Sequence, residues 1–191
     1  YILSRNEGGD QNWGSIKKLW ADNSGADDFF GQSVSISGNY AVVGARGDDD
    51  NGDSSGSAFV YYKDQGGVDN WGQLAKLTAS DGAASDFFGV TVFISGNYIV
   101  VGATEDDDDG YSSGSAYVFN KDQGGVDNWG QVAKLTASDG AAYDYFGTSV
   151  SISGDYVLVG ASGDDDNGYS SGSAYMFNND SGGADNWGLV N

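Results

Sequence analysis

The chain returns into register with itself when slid by 58 residues. Phe30-Gly31, Phe88-Gly89 and Phe146-Gly147 coincide, as do Val43-Gly44-Ala45, Val101-Gly102-Ala103 and Val159-Gly160-Ala161. Trp13, Trp71, Trp129 and Trp187 share one repeat position. A period of this length means an array of equivalent supersecondary units, none of which buries its apolar face alone, so neighbours must stack. The 191 residues hold three full periods and begin and stop inside a fourth.

Within a period the signals are those of strands. Ser149-Val150-Ser151-Ile152-Ser153 alternates small polar and apolar residues at the two-residue period of a half-buried strand. Gly154-Asp155, matched by Gly38-Asn39 and Gly96-Asn97, reads as a tight turn into the apolar run Tyr156-Val157-Leu158-Val159. Ser173-Ala174-Tyr175-Met176-Phe177 gives a third strand and Trp129-Gly130-Gln131-Val132-Ala133-Lys134-Leu135 a fourth. No window has helical periodicity. Four short antiparallel strands per period is the pattern of a propeller blade. A linear β-solenoid fits less well, because its coils are shorter and its strands parallel. The expected organisation is all-β, with residues 1–22 forming the last two strands of a preceding blade. Blades follow at 23–80, 81–138 and 139–191, an incomplete propeller finished by a longer chain or by assembly. The recurring Trp is expected to seal the contact between units.

The residues resemble a known family, the FG-GAP repeat, the blade unit of integrin α-subunit propellers and of bacterial and algal extracellular proteins. Asp86-Phe87-Phe88-Gly89 carries the first element and Val101-Gly102-Ala103 the second. Between them lies the Ser-Gly-Asn hairpin; after them comes an Asp-rich loop ending in Ser113-Gly114-Ser115-Ala116-Tyr117-Val118-Phe119. The resemblance implies a β-propeller, calcium in blade loops, and an extracellular or cell-surface role in adhesion or ligand binding. The proline usual after Gly-Ala is absent, its place taken by Arg46, Thr104 and Ser162.

Charge narrows the function. Lys and Arg number 8 against 28 acids, for a net charge of −20, which argues against nucleic acid or an anionic membrane as partner. No apolar run reaches the ~20 residues that span a bilayer. Without Cys or His there is no thiolate nucleophile, usual zinc site or His-based triad. All the acids except Glu7 and Glu105 are Asp, a residue of turns and cation-binding loops.

Three loops concentrate these acids. The candidate calcium ligands are Asp48, Asp49, Asp50 and Asn51; Glu105, Asp106, Asp107, Asp108 and Asp109; and Asp164, Asp165, Asp166 and Asn167. Adjacent carboxylates repel, and Ca²⁺, which takes ~6–8 oxygens in irregular geometry, relieves the repulsion. Glu105, Asp107 and Asp109 before Gly110 fit the alternating ligand register best. In the other copies Gly47 or Gly163 takes the first position, leaving Asp48 with Asp50 and Asp164 with Asp166 as the alternate pairs. The family's later acidic ligand falls on Ser55, Ser113 or Ser171. The competing reading is a solvated acidic turn. Asp28, Asp86 and Asp144, each before an aromatic-Phe-Gly, are expected to hold a turn through backbone N–H groups. Asp69-Asn70, Asp127-Asn128 and Asp185-Asn186 read as hairpin turns. Arg46-Gly47-Asp48 is an integrin-recognition tripeptide occurring in one copy only, so its appearance reads as coincidence, and Asn179-Asp180-Ser181 fits the N-glycosylation pattern.

Three functions are open on this reading. The first is a non-catalytic, calcium-binding extracellular propeller that takes a protein or glycan ligand, the tyrosines giving a lectin-like variant. The second is a structural subunit of a filament or surface layer, self-associating or continuing into neighbouring repeats through incomplete blades. The third, a carboxylate-pair glycosidase, is disfavoured because the acids sit in equivalent repeated loops.

Overall fold

The computed structural model describes every residue except Gly8, Gln11, Gly182, Ala184, Asp185 and Asn191. Fourteen strands and no helix make up the described chain. A two-stranded hairpin, β1 (Ile2–Arg5) and β2 (Trp13–Lys17), comes first. Three four-stranded antiparallel sheets follow in simple meander order. The first holds β3 (Val34–Ser37), β4 (Tyr40–Ala45), β5 (Ser57–Tyr62) and β6 (Gly72–Leu77). The second holds β7 (Thr91–Ser95), β8 (Tyr98–Ala103), β9 (Ser115–Asn120) and β10 (Gly130–Leu135). The third holds β11 (Phe146–Ser153), β12 (Tyr156–Ala161), β13 (Ser173–Asn178) and the short β14 (Gly188–Leu189). These are propeller-type blades, and no closed sheet is present among the described residues.

Local chemistry sets each element. Gly38, Gly96 and Gly154 open the turns at φ near +57°, the left-handed value that a primed two-residue hairpin turn needs at its first position. The β-branched and aromatic residues on both sides suit a pleated, packed surface.

The blades stack face to face, and each interface is an apolar core. One face of blade 1 (Val42, Ala58, Val60, Leu77) meets the opposite face of blade 2 (Phe88, Val92, Ile94, Ile99). Val100, Val118 and Leu135 of blade 2 meet Phe146, Ile152 and Val157 of blade 3 in the same way. Ile2 and Ile16 of the hairpin cover Ala41, Val43 and Phe59 of blade 1.

The Phe-Gly and Gly-Ala landmarks are the two halves of one joint. A Cβ on Gly44 would stand 1.9 Å from the carbonyl oxygen of Gly89, and one on Gly102 would stand 2.2 Å from that of Gly147. Gly56 and Gly114 form parallel bridges to Phe88 and Phe146 of the next blade. Backbone meets backbone at each joint, so only glycine fits. Serines add a polar seam: the N–H groups of Val92, Ile94 and Gly96 donate to the hydroxyls of Ser33, Ser35 and Ser37 at 3.0, 3.2 and 3.3 Å.

Trp71, Trp129 and Trp187 are buried at these interfaces, Trp129 edge-on to Tyr40 and Trp187 edge-on to Tyr98 of the preceding blade. Trp13 differs: it is exposed, because among the described residues no sheet stands where Tyr40 and Tyr98 stand for its counterparts.

Candidate functional site

Each acidic loop joins the second strand of a blade to the third, so all three lie at the same end of the stacked sheets. The loops are held by their own backbone. Gly56 donates to the Asp48 carbonyl at 2.8 Å, and Gly114 and Gly172 repeat this bond to Asp106 and Asp164 at 2.9 Å. The loop therefore closes with Asp48, Asp106 or Asp164 turned inward, and these three are buried.

What meets these buried carboxylates is an ammonium group. Lys76, on β6 of the same blade, places Nζ 2.9 Å from both oxygens of Asp48 and also contacts Asp50. Lys134, on β10, bridges Asp106 at 3.1 Å, Asp108 at 2.5 Å and Asp81 at 2.7 Å. Both lysines lie over the aromatic ring beneath, Phe59 or Tyr117, at 5.3 Å from the centroid. The Ser57 hydroxyl donates to Asp48 at 3.0 Å. The Tyr117 hydroxyl lies 2.7 Å from Asp106 and 2.9 Å from Asp81. The flanking carboxylates drive the Lys134 ammonium above its ordinary range against the opposing cost of burial.

This arrangement bears on the calcium expectation through the donor set of each loop. Glu105 and Asp107 come together at Ser112, without Asp109. Glu105 accepts from the Ser112 hydroxyl, Asp107 from the Ser112 N–H at 2.7 Å, and Asp109 faces solvent. Asp49 likewise accepts from the Ser54 N–H at 2.8 Å. The inward register is the alternate one, Asp48 with Asp50, Asp106 with Asp108 and Asp164 with Asp166. Asn51, Asp165 and Asn167 are exposed. Among the described residues no three carboxylates gather as a metal cage. Lysine supplies the positive charge in the first two loops, so their donor sets do not fit a resident calcium.

The third loop keeps the acids without the lysine. Tyr175 donates to Asp164 at 2.7 Å and stands 2.9 Å from Asp139. That hydroxyl holds the Asp164 carboxyl below the usual carboxylate range. No ammonium joins them among the described residues. Lys76 and Lys134 were missed as site residues because a basic residue on an alternating strand looks like a solvated position. Their 58-residue spacing, shared with Lys18, was the available signal.

The other candidate residues fall into structural places. The carboxylates of Asp28, Asp86 and Asp144 accept from the N–H three residues back, at Gly25, Ala83 and Ala141. They anchor turns in which Phe29, Phe87 and Tyr145 take φ of +53°, +56° and +55°, costly for bulky side chains. Burial pushes the Asp86 carboxyl up to about 6 and raises that of Asp144. Asp69 and Asp127 sit in hairpin turns and pair with Lys63 at 2.7 Å and Lys121 at 2.9 Å. Asp127 also accepts from the Tyr40 hydroxyl of the preceding blade at 2.7 Å. Asp185 lies outside the described residues. In the Arg46-Gly47-Asp48 tripeptide, Asp48 is buried and Arg46 lies over Phe29 and Phe87, so it is not displayed for recognition. The Asn179 amide points to Asp155 at 3.4 Å.

Around the buried centres, the same rim carries exposed aromatics. Tyr111 and Tyr143 meet edge-on at 5.4 Å, and Tyr145 lies 6.4 Å beyond. Tyr169, after the third acidic loop, is 96 % exposed. The rim thus combines solvent-facing Asp50, Asp108 and Asp166 with uncovered rings.

Stacked four-stranded antiparallel sheets, joined glycine to glycine at a fixed period, define a propeller-type repeat protein. The FG-GAP repeat model matches three times, at residues 13–61, 71–119 and 129–177, and the chain belongs to the FG-GAP repeat family. Among solved structures it is similar to the computationally designed Ika4 protein. The TM-score is 0.53 at 12 % identity, over 92 % of this chain and 79 % of that one, a likeness of fold alone. No curated protein matches the chain. No helix among the described residues is long and apolar enough to cross a membrane.

Proposed function

We propose that the chain is a non-catalytic extracellular or cell-surface propeller module for adhesion or ligand binding, and that its ligand face is the rim of acidic loops and tyrosines. The observation that carries this reading is the juxtaposition on one rim of uncovered rings and the solvent-exposed outer carboxylates Asp50, Asp108 and Asp166, the first two sharing the lysine that neutralises the inner acid of their loop. Exposed tyrosines provide rigid stacking area, and the carboxylates favour a cationic or polyhydroxylated partner. Repetition of the same acids in equivalent loops supports binding over catalysis, because no pair of them is set apart. Calcium has no part in this reading for the first two loops.

A direct test titrates the protein with an oligolysine peptide and with a glycan panel, alongside the Tyr111→Ala/Tyr143→Ala variant. The expected result is salt-sensitive binding that the double substitution weakens about tenfold or more. Absence of binding to either class, or binding indifferent to the tyrosines, overturns the placement of the ligand face.

A further inference from the structure

At the end of the blades opposite the acidic loops, the joint between blades 1 and 2 and the joint between blades 2 and 3 are built differently. In blade 1, Tyr40 opens β4 and Tyr62 closes β5 directly across from it, their rings 5.0 Å apart. Trp129 of blade 2 meets Tyr40 edge-on at 5.5 Å, and Lys121 lies over the same ring at 5.8 Å. Three rings and a lysine stem therefore pack together there. One period on, Tyr98 and Trp187 repeat the edge-on contact at 5.3 Å. The third ring is missing, because the residue across from Tyr98 is Asn120. Val132 stands where blade 1 has Leu74, and Asn179 where blade 2 has Lys121. These three exchanges leave a cavity of about 340 Å³ between blades 2 and 3, lined by Tyr98, Asn120, Gln123, Val132 and Trp187. Tyr98 and Ala103 stand at opposite ends of β8, so the cavity is about 17 Å from the acidic rim along that strand.

The walls offer a narrow chemistry. Two rings inclined at 77° form an apolar corner, extended by Val132. The Asn120 carbonyl oxygen accepts from the Asp122 N–H at 3.0 Å, which fixes the amide and leaves its NH2 group to donate. Gln123 is exposed, and its side-chain amide makes no hydrogen bond among the described residues. Amides both donate and accept, as hydroxyl groups do. No charged side chain lines the cavity, so neither an anionic nor a cationic ligand finds a counter-charge in it. The volume lies at the lower end of the ~300–1,000 Å³ of small-molecule sites, enough for one ring with its substituents.

We propose that this cavity is a binding site, separate from the rim, for a single neutral pyranose ring. The C–H face of the sugar lies against the corner of Tyr98 and Trp187, and its hydroxyls exchange hydrogen bonds with the amides of Asn120 and Gln123. An aromatic wall beside uncharged amides suits a ligand that is apolar on one face and hydroxylated at its edge. At the joint between blades 1 and 2 the ring of Tyr62 takes the corresponding place, so of these two joints only the second offers the site. The site uses none of the residues assigned to the ligand face at the rim, and the two assignments stand or fall separately.

Titration of the chain with glucose, galactose, mannose and N-acetylglucosamine, followed by NMR of the indole N–H groups of its five tryptophans, tests the site. At least one of these sugars is expected to shift the Trp187 resonance saturably, with a dissociation constant in the millimolar range that about a dozen non-hydrogen atoms provide. Sorbitol, which carries the hydroxyls without the ring, is expected to leave that resonance in place. Asn120→Tyr gives blade 2 the ring that blade 1 carries at this position. It is expected to abolish the shift without lowering the melting temperature, since it fills a cavity rather than opening one. Gln123→Ala alters an exposed residue and is expected to weaken binding about fivefold. The Tyr111→Ala/Tyr143→Ala variant at the rim is expected to bind the sugar as the wild type does. The proposal is overturned by any of four results: no saturable shift with any of the four sugars up to about 100 mM, a sorbitol response equal to theirs, binding that survives both Asn120→Tyr and Gln123→Ala, or binding lost in the rim variant.

Discussion

Replacing Lys134 by methionine isolates the worth of the internal cation. Methionine keeps an unbranched apolar stem over Tyr117 and removes only the ammonium. Three ion pairs are lost, but they are not equal. Asp81 and Asp108 have side chains 44 % and 53 % exposed, and screened pairs of that kind contribute about 0–1 kcal/mol each. Asp106 is 5 % exposed and is left as a buried carboxylate, with Tyr117 and the Asp108 N–H as remaining donors. Stranding one partner of a buried pair costs about 3–5 kcal/mol. The surviving donors place the total near the lower end, at about 3 kcal/mol. For a chain of this size that corresponds to a fall in Tm of about 6–12 °C. The assay is thermal and urea unfolding followed by tryptophan fluorescence, with Lys134→Met/Asp106→Asn as the companion variant. Removing the stranded charge as well is expected to recover more than half of the loss. A single-variant loss below about 1 kcal/mol, or a double variant worse than the single, refutes the assignment of Lys134 as the loop's neutralising cation.

Three further outcomes follow from the same geometry. In an Asp164→Asn/Asp166→Asn variant, which takes the lysine-free third loop out of play, calcium and chelator are expected to leave the melting temperature unchanged, since lysine holds the first two loops; a saturable shift of several degrees on adding calcium to that variant returns those loops to the metal. Gly102→Ala drives a Cβ into the Gly147 carbonyl oxygen at 2.2 Å and is expected to destabilise by about 3 kcal/mol or more, whereas Gly160→Ala, whose Cβ meets only the Ser149 side chain, costs far less by the same unfolding measurement. The Asp86 carboxyl, raised to about 6 in the fold, binds its proton more tightly folded than unfolded. Its contribution is therefore complete below the unfolded value and is lost as pH rises through about 6. Asp86→Asn is expected to flatten the fall in stability across that window, and an unchanged profile counts against the burial assigned to this carboxyl.

Much of the fold was legible because period-58 repetition and two-residue alternation are local properties of the chain. The Gly-Asn turns, the four strands of each period and the turn-holding Asp28, Asp86 and Asp144 can be read from nearest neighbours. The candidate site was only half legible. The loops and their acids are contiguous in sequence, but their neutralising groups are not. Lys76 lies 28 residues from Asp48, and Tyr175 lies 36 residues from Asp139. A run of aspartates reads as a place for a metal until a strand from the far edge of the sheet brings an ammonium into it. Trp13 shows the same dependence on context, since its fate follows from whether a sheet stands in front of it.

The sequence by itself determined the repeat, the strand pattern and the glycine landmarks, because steric demands on φ and the alternation of a pleated strand act over a few residues. Only the tertiary structure decided what cation meets the inward carboxylate of a loop, and that Phe-Gly of one blade locks onto Gly-Ala of another. Those outcomes depend on contacts between segments 28 to 59 residues apart, whose geometry exists only once the sheets have stacked.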